Sequence, residues 1–259
     1  MKTVFITGAS SGIGAALALA YAEQGAVLGL LARRRDVLEE LRLSLPNADR
    51  HHIYAVDVTD HAALANAAKE FMAAVGEVNV VIANAGISVG TLSEHAEDLP
   101  IFDRVLQTNL IATVATFSAF INPMKTYAGR SDCRLVGIGS VAGVRGLPGA
   151  EAYSASKAAV ISYCESLRVE LRGTGIRVVT IAPGYIDTPM TRDNPYPMPF
   201  LMPVRRFSVA ALKAIAGGES YRVIPWQMGI VAKILRILPN WLYDPVFARA
   251  RRKPRANNM

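Results

Sequence analysis

Tyr153 and Lys157 stand four residues apart in the stretch Tyr153-Ser154-Ala155-Ser156-Lys157, which opens an alanine-rich segment with apolar residues at helical spacing to about Leu171. On a helix, positions i and i+4 share a face about 5–6 Å apart, so an ammonium lies near a phenol or both address one ligand. A free tyrosine keeps its proton to about pH 10, too high for reversible proton transfer at neutral pH. A positive charge ~4 Å away, at an effective dielectric of ~20, favours the phenolate by about 4 kcal/mol, enough to bring the group near neutrality. The pair then offers general acid–base chemistry. An amphipathic core helix carrying two solvated polar residues shows the same spacing.

A second constellation is Thr7-Gly8-Ala9-Ser10-Ser11-Gly12-Ile13-Gly14, directly after the apolar run Val4-Phe5-Ile6. It reads as a buried strand opening into a glycine-rich turn and a helix. Glycines let the backbone turn sharply and approach a pyrophosphate, while the helix start presents free N–H groups and a positive dipole end. Such turns also close ordinary strand–helix junctions.

With Asn84-Ala85-Gly86, Asn109, a Ser140 thirteen residues before Tyr153, and Pro183-Gly184 followed by Ile186 and Thr188, residues 1 to about 190 resemble the short-chain dehydrogenase/reductase family, in its NADP-preferring form. The resemblance implies hydride transfer between the nicotinamide C4 and the carbon of a carbonyl or alcohol. Tyr153 would exchange a proton with the substrate oxygen, and Ser140 would hold that oxygen. Lys157 would lower the tyrosine pKa and bond the nicotinamide ribose. Asn109, in a helix expected over 101–120, would hold a relay water. Gly8, Ser10, Ser11, Gly12, Ile13 and Gly14 would cradle the coenzyme, Asp57 and the Val58 backbone its adenine, and Asn84, Ala85 and Gly86 its adenosine ribose. Pro183, Gly184, Ile186 and Thr188 would seat the nicotinamide. Ala83 departs from the pattern, which often has a second asparagine there.

The second strand ends in Ala32-Arg33-Arg34. Folds that take NAD usually place a carboxylate here for the ribose 2′-hydroxyl, whereas guanidinium groups bind a 2′-phosphate bidentately. NADP is therefore expected over NAD, with Arg33 as the main contact and Arg34 as helper. Asp36 is a counterweight, and Ser11 occupies the family's other common basic position. A solvated helix start is the plainer account of the arginines.

The elements that must position these residues alternate along the chain. Strand-like runs at 4–7, 27–31, 53–56, 78–83, 134–139, 177–181 and 221–224 are separated by helical patterns. That alternation predicts an α/β fold, a doubly wound parallel sheet of seven strands, Rossmann-like, with helices on both faces, in a single catalytic domain over 1–259. Ligands bind such sheets beyond the carboxyl ends of the strands, where the named motifs fall.

The chain has 259 residues and a net charge of +7. No run reaches the ~18 apolar residues needed to span a bilayer, and the Gly/Ser turn interrupts any signal-like stretch near Lys2. Cys133 and Cys164 lack metal-ligand spacing and read as free core thiols of a reducing compartment, so a cytoplasmic location is expected. His51, His52, His61 and His95 fall in none of the motifs, and no metal is expected. Residues 188–217 resemble a substrate lid. Its first part, rich in proline, methionine and aromatics, favours an apolar small-molecule carbonyl or packs on a neighbouring subunit. Arg192, Arg205 and Arg206 could instead receive an acidic tail, and the loop between Arg145 and Glu151 is expected as a pocket wall.

Residues 226–259 form an amphipathic and basic extension. Ile230, Val231, Ile234, Leu235 and Leu238 make one stripe opposite Lys233 and Arg236, followed by Trp241, Leu242, Tyr243, Phe247 and the cluster Arg249, Arg251, Arg252, Lys253, Arg255. The pattern suits peripheral membrane contact. The blander expectation is a stripe covering the pocket or a dimer partner, with the basic tail a solvated end. A homodimer or homotetramer is expected by analogy, and nucleic-acid binding is not. A nucleotide-binding regulator without turnover is the remaining alternative.

Overall fold

The computed structural model describes residues 2–192, 194–249 and 252–255. Short apolar runs, buried in all but the edge strand β3, form β1 (Thr3–Thr7), β2 (Val27–Ala32), β3 (His52–Ala55), β4 (Val80–Ala83), β5 (Cys133–Ile138) and, apart from exposed Arg177, β6 (Ile176–Pro183). A two-residue pair, β7 (Ile186–Asp187) and β8 (Met202–Pro203), stands apart, and β9 (Tyr221–Ile224) ends the main sheet. The helices are α1 (Gly12–Glu23), α2 (Arg35–Ser44), α3 (His61–Val75), α4 (Leu99–Leu106), α5 (Ala112–Lys125) and α6 (Glu151–Glu170). After them come α7 (Pro189–Arg192), α8 (Val204–Gly217), α9 (Trp226–Ile237) and α10 (Asn240–Phe247).

Seven strands pair in the order β3-β2-β1-β4-β5-β6-β9, all parallel, with Val4 opposite both Leu28 and Val80. Strand order reverses between β1 and β4, which opens a crevice at their carboxyl ends. Successive side chains point to opposite faces. Val4 and Ile6 therefore join a core with Leu17 of α1, Leu38 of α2 and Phe207 of α8. Phe5 joins a second core with Phe71 of α3, Phe117 of α5 and Val160 of α6. All seven expected strands form, so the sheet has the predicted number and helices on both faces.

The helix expected over 101–120 is interrupted. A π turn, Gln107–Ile111, joins α4 to α5, and its extra residue per turn carries Asn109 fully inward. The helical run over 96–125 is long and apolar enough to cross a membrane by length and composition. It nevertheless serves as a core helix, since Phe117, Phe120 and Met124 are completely buried in the second core. Cys133 and Cys164 are buried free thiols.

Candidate active site

The crevice is built by a knot between two turns. Gly8 turns at φ +66, and a Cβ there would sit 2.7 Å from Ala85 Cα, so only glycine follows β1 at this point. The Asn84 side-chain amide donates to the carbonyls of Thr7 at 3.0 Å and Gly8 at 3.1 Å. The Thr7 hydroxyl accepts in return from the backbone N–H of Asn84 at 3.1 Å and of Ala85 at 3.2 Å. A Cβ on Gly14 would lie 2.2 Å from the Gly8 carbonyl oxygen. At the start of α1, Ser11 makes no side-chain cap and the first turn holds no carboxylate, which leaves the leading N–H groups for an anion.

Beyond this knot lies a cleft of about 640 Å³. Every residue expected for catalysis or coenzyme contact lines it except Gly14 and Asn109. Gly14 packs α1 closely on the turn. Arg33 and Arg34 are exposed on the wall, whereas Asp36 lies in the first turn of α2 and is not on it. Asp57 Oδ1 accepts from the Thr59 N–H at 3.0 Å and the Thr59 hydroxyl at 2.8 Å. Those bonds, with help from the Arg33 charge, hold its carboxyl below the usual range.

Ser140 follows β5 and accepts at Oγ from Ala142 N–H at 3.1 Å, capping the short turn Val141–Gly143. Its side chain also hydrogen-bonds Tyr153, the third residue of α6. One helical turn on, Lys157 donates from Nζ to the Ile138 carbonyl at 2.8 Å and sits 5.9 Å from the centroid of the Tyr153 ring. The tyrosine hydroxyl, the serine and the lysine thus converge at the carboxyl end of β5. Burial pushes the Tyr153 pKa up, with the Ser140 bond opposing it, and burial pushes Lys157 down to about 8. Lys157 is expected to bring the phenol towards neutrality, and burial of both groups acts against that.

Asn109 lies behind the cleft wall. Its Oδ1 accepts from the Ile87 N–H at 2.8 Å, and its Nδ2 donates to the Ile87 carbonyl at 3.0 Å and Ser156 Oγ at 2.9 Å. Its amide is therefore a clamp on the segment after β4. A Cβ on Gly86 would come within 3.2 Å of Asn109 Oδ1 and 3.5 Å of Lys157 Nζ.

Sequence reading missed Arg104 and Thr108, which also line the cleft. The available signal was their i, i+4 spacing on the helix that carries Asn109. Met190 and Thr191, from the expected lid, line it as well; Arg192, Arg205 and Arg206 do not. Arg205 instead stands 3.5 Å from Glu23.

The C-terminal stripe is split. Ile230 and Ile234 face solvent, and α9 buries Met228 and Ala232. The tail is not a solvated end: Lys253 Nζ bonds Ser88 Oγ at 2.9 Å, and Arg255 Nε bonds Asp98 Oδ2 at 2.8 Å. Arg251 lies outside the described residues.

A family model described as short chain dehydrogenase matches residues 2–197. The chain belongs to the short-chain dehydrogenase family. An uncharacterized oxidoreductase of Myxococcus xanthus is 38% identical, covering 96% of this chain and 98% of that protein. Sulfoacetaldehyde reductase 2 of Chromohalobacter salexigens is 36% identical over 73% of this chain and 74% of its own length. Among solved structures, a 3-ketoacyl-(acyl-carrier-protein) reductase from Brucella melitensis complexed with NADH superposes with a TM-score of 0.79 at 25% identity, covering 86% of this chain and 96% of that one. This short-chain dehydrogenase is an NAD(P)-dependent oxidoreductase acting on CH–OH groups, and its glycine knot and anion-ready helix start suit a nicotinamide coenzyme.

Proposed function

We propose that the enzyme prefers NADPH to NADH and interconverts a carbonyl and an alcohol on an apolar small molecule. The observation that carries the coenzyme preference is the pair Arg33 and Arg34 on the cleft wall at the end of β2, with Asp36 turned off that wall. Two guanidinium groups attract a 2′-phosphate that a carboxylate would repel. When bound, the coenzyme supplies or accepts the hydride. Ser140 holds the substrate oxygen, and Tyr153 Oη gives it a proton in reduction or takes one in oxidation. Lys157 keeps a positive charge beside them and bonds the ribose, Asn109 positions the wall and an ordered water, and Asp57 with Val58 receives the adenine. Ile87, Val89 and Met190 give the substrate side an apolar lining.

The test is a panel of apolar ketones and aldehydes with NADPH and NADH in parallel, followed by absorbance. NADPH is expected to be the better donor, and Arg33→Ala to weaken it alone; a better NADH rejects the preference. Activity that survives Tyr153→Phe rejects the catalytic roles.

Two associations accompany this reading. Exposed Leu99, Ile111 and Val169 on α4, the π turn and α6 favour a homodimer or homotetramer. Peripheral contact with an anionic membrane is favoured by charge segregation. Between residues 226 and 255 seven Lys and Arg face one acid, Asp244, which accounts for six of the net +7. Trp226, Ile237 and Trp241 are 65%, 80% and 73% exposed in the same segment. Each basic residue near such a surface contributes about 1 kcal/mol. Sedimentation with anionic but not zwitterionic vesicles is expected, and no sedimentation with either retires the contact.

A further inference from the structure

The described end of the chain lies across irregular backbone next to Tyr153. Arg255 grips Asp98 with two bonds, Nε to Oδ2 at 2.8 Å and Nη2 to Oδ1 at 3.0 Å, and Nη2 also reaches Glu97 Oε1 at 3.0 Å. Asp98 is only 3% exposed and accepts the Leu92 N–H at 2.9 Å. Gly90 donates to the Pro254 carbonyl at 3.1 Å and pairs with Arg255 in a parallel bridge. Residues 252–255 therefore add a strand-like strap to the loop 87–92, whose other end Asn109 clamps at Ile87.

That loop touches the catalytic helix. Thr91 Oγ1 donates to Glu151 Oε2 at 3.2 Å and accepts the Ala152 N–H at 3.4 Å, one residue before Tyr153. Just before α6, Arg252 packs on Gly149, where a Cβ would stand 2.7 Å from the Arg252 Cβ.

We propose that Arg255 and Asp98 are positioning residues for Tyr153, acting through the strap and the loop 87–92 on the first turn of α6. A loop with no regular secondary structure takes its order from such contacts, so releasing the strap loosens the substrate wall and the tyrosine together, while the coenzyme half of the cleft, built on the glycine knot, is left intact. The proposal rests on the oxidoreductase reading of Tyr153.

The test uses full-length Arg255→Gln, Arg255→Lys and Gly90→Ala. The last places a Cβ 2.3 Å from the Lys253 carbonyl oxygen and displaces the strap without touching the ion pair. In Arg255→Gln and Gly90→Ala, kcat/KM for a carbonyl substrate is expected to fall about tenfold while the NADPH dissociation constant stays within about twofold, and Arg255→Lys to recover part of the loss. Hydrogen exchange at the Leu92 and Ala152 amides is expected to quicken, and Lys69→Gln on the exposed face of α3 to behave as wild type. Unchanged kcat/KM with unchanged exchange overturns the strap's role, as does a parallel loss of coenzyme and substrate affinity. If the wild-type protein reduces no carbonyl, the oxidoreductase reading fails separately, and exchange at Leu92 and Ala152 alone decides whether the strap orders the helix start.

Discussion

Lys157 gives its ammonium to the main-chain carbonyl of Ile138 at 2.8 Å, and burial pushes its pKa down from 10.5 to about 8. Carrying that charge into the fold at neutral pH costs roughly 3 kcal/mol. Between about pH 8 and 10.5 the unfolded chain holds the proton that the folded one has released, so raising the pH through this window removes the cost. Lys157→Met lacks the term entirely and loses the Ile138 bond at every pH. Its stability relative to wild type is therefore expected to be lower at pH ~10 than at pH ~7, by up to ~3 kcal/mol, in urea unfolding of both proteins. An identical difference at both values would show that Lys157 is not desolvated as the structure has it.

Tyr153 stays protonated above the ordinary phenol range because burial outweighs its bond to Ser140. Reduction uses the protonated form, so its rate is expected to be flat from about pH 6 to about 8, where Lys157 begins to discharge. Oxidation uses the phenolate, and its logarithm is expected to climb with pH across the same interval. Tyr153→Phe removes roughly 10²–10⁴-fold of kcat in both directions. An oxidation profile that levels off below about pH 7 would mean that a neighbouring charge, not burial, sets the phenol.

Gly12 and Gly14 are two residues apart and fail differently. A Cβ on Gly14 would stand 2.2 Å from the Gly8 oxygen and 2.6 Å from Asn84 Nδ2, both fixed in the knot. Gly14→Ala is expected to cost about 1–3 kcal/mol of stability, read as a lower urea midpoint. Gly12, at φ +53, lines the cleft, and a Cβ there would meet Thr188 at 3.4 Å and Pro189 at 3.9 Å, both ordinary contacts. Gly12→Ala is expected to weaken NADPH binding more than stability. A reversed order would contradict the division between packing and contact.

What the sequence made legible is what local chemistry encodes. Short apolar runs alternating with helical patterns placed all seven strands, and because ligand motifs follow strand ends, nearly the whole cleft wall followed. The rest depends on distance. Arg255 and Asp98 are 157 positions apart, and nothing in either neighbourhood marks a polar tail residue as the partner of a buried carboxylate. Ile230 and Ile234 read as a covered stripe because they are apolar, yet α9 turns the smaller Met228–Ala232 face inward. The Tyr153 pKa depends on packing in a similar way: spacing gives a neighbour's charge but not the desolvation set by the surrounding side chains.

Arg145 ties the loop before the catalytic helix to the C-terminal pair of helices. Its Nη1 donates to the Leu235 carbonyl at 2.7 Å and to the Leu238 carbonyl, and its Nη2 donates to Asn240 Oδ1 at 2.7 Å. The guanidinium lies 4.0 Å above the Tyr243 ring, whose hydroxyl donates to the Gly146 carbonyl at 2.5 Å. A cation at the carboxyl end of α9 also meets the negative end of the helix dipole. Arg145→Leu leaves these acceptors without their donor and is expected to cost about 2–3 kcal/mol. Arg145→Lys keeps the charge but not the planar fork and is expected to recover less than about half of that loss. Limited trypsin digestion reads the effect directly, because Lys233 and Arg236 are exposed on α9 and cleavage there requires local opening of the helix. Faster cleavage in Arg145→Leu, with the rest of the chain resisting as before, would place the hold on α9 in this one side chain. Cleavage at the wild-type rate would mean that Met228 and Ala232, buried beneath the helix, hold it without the clamp.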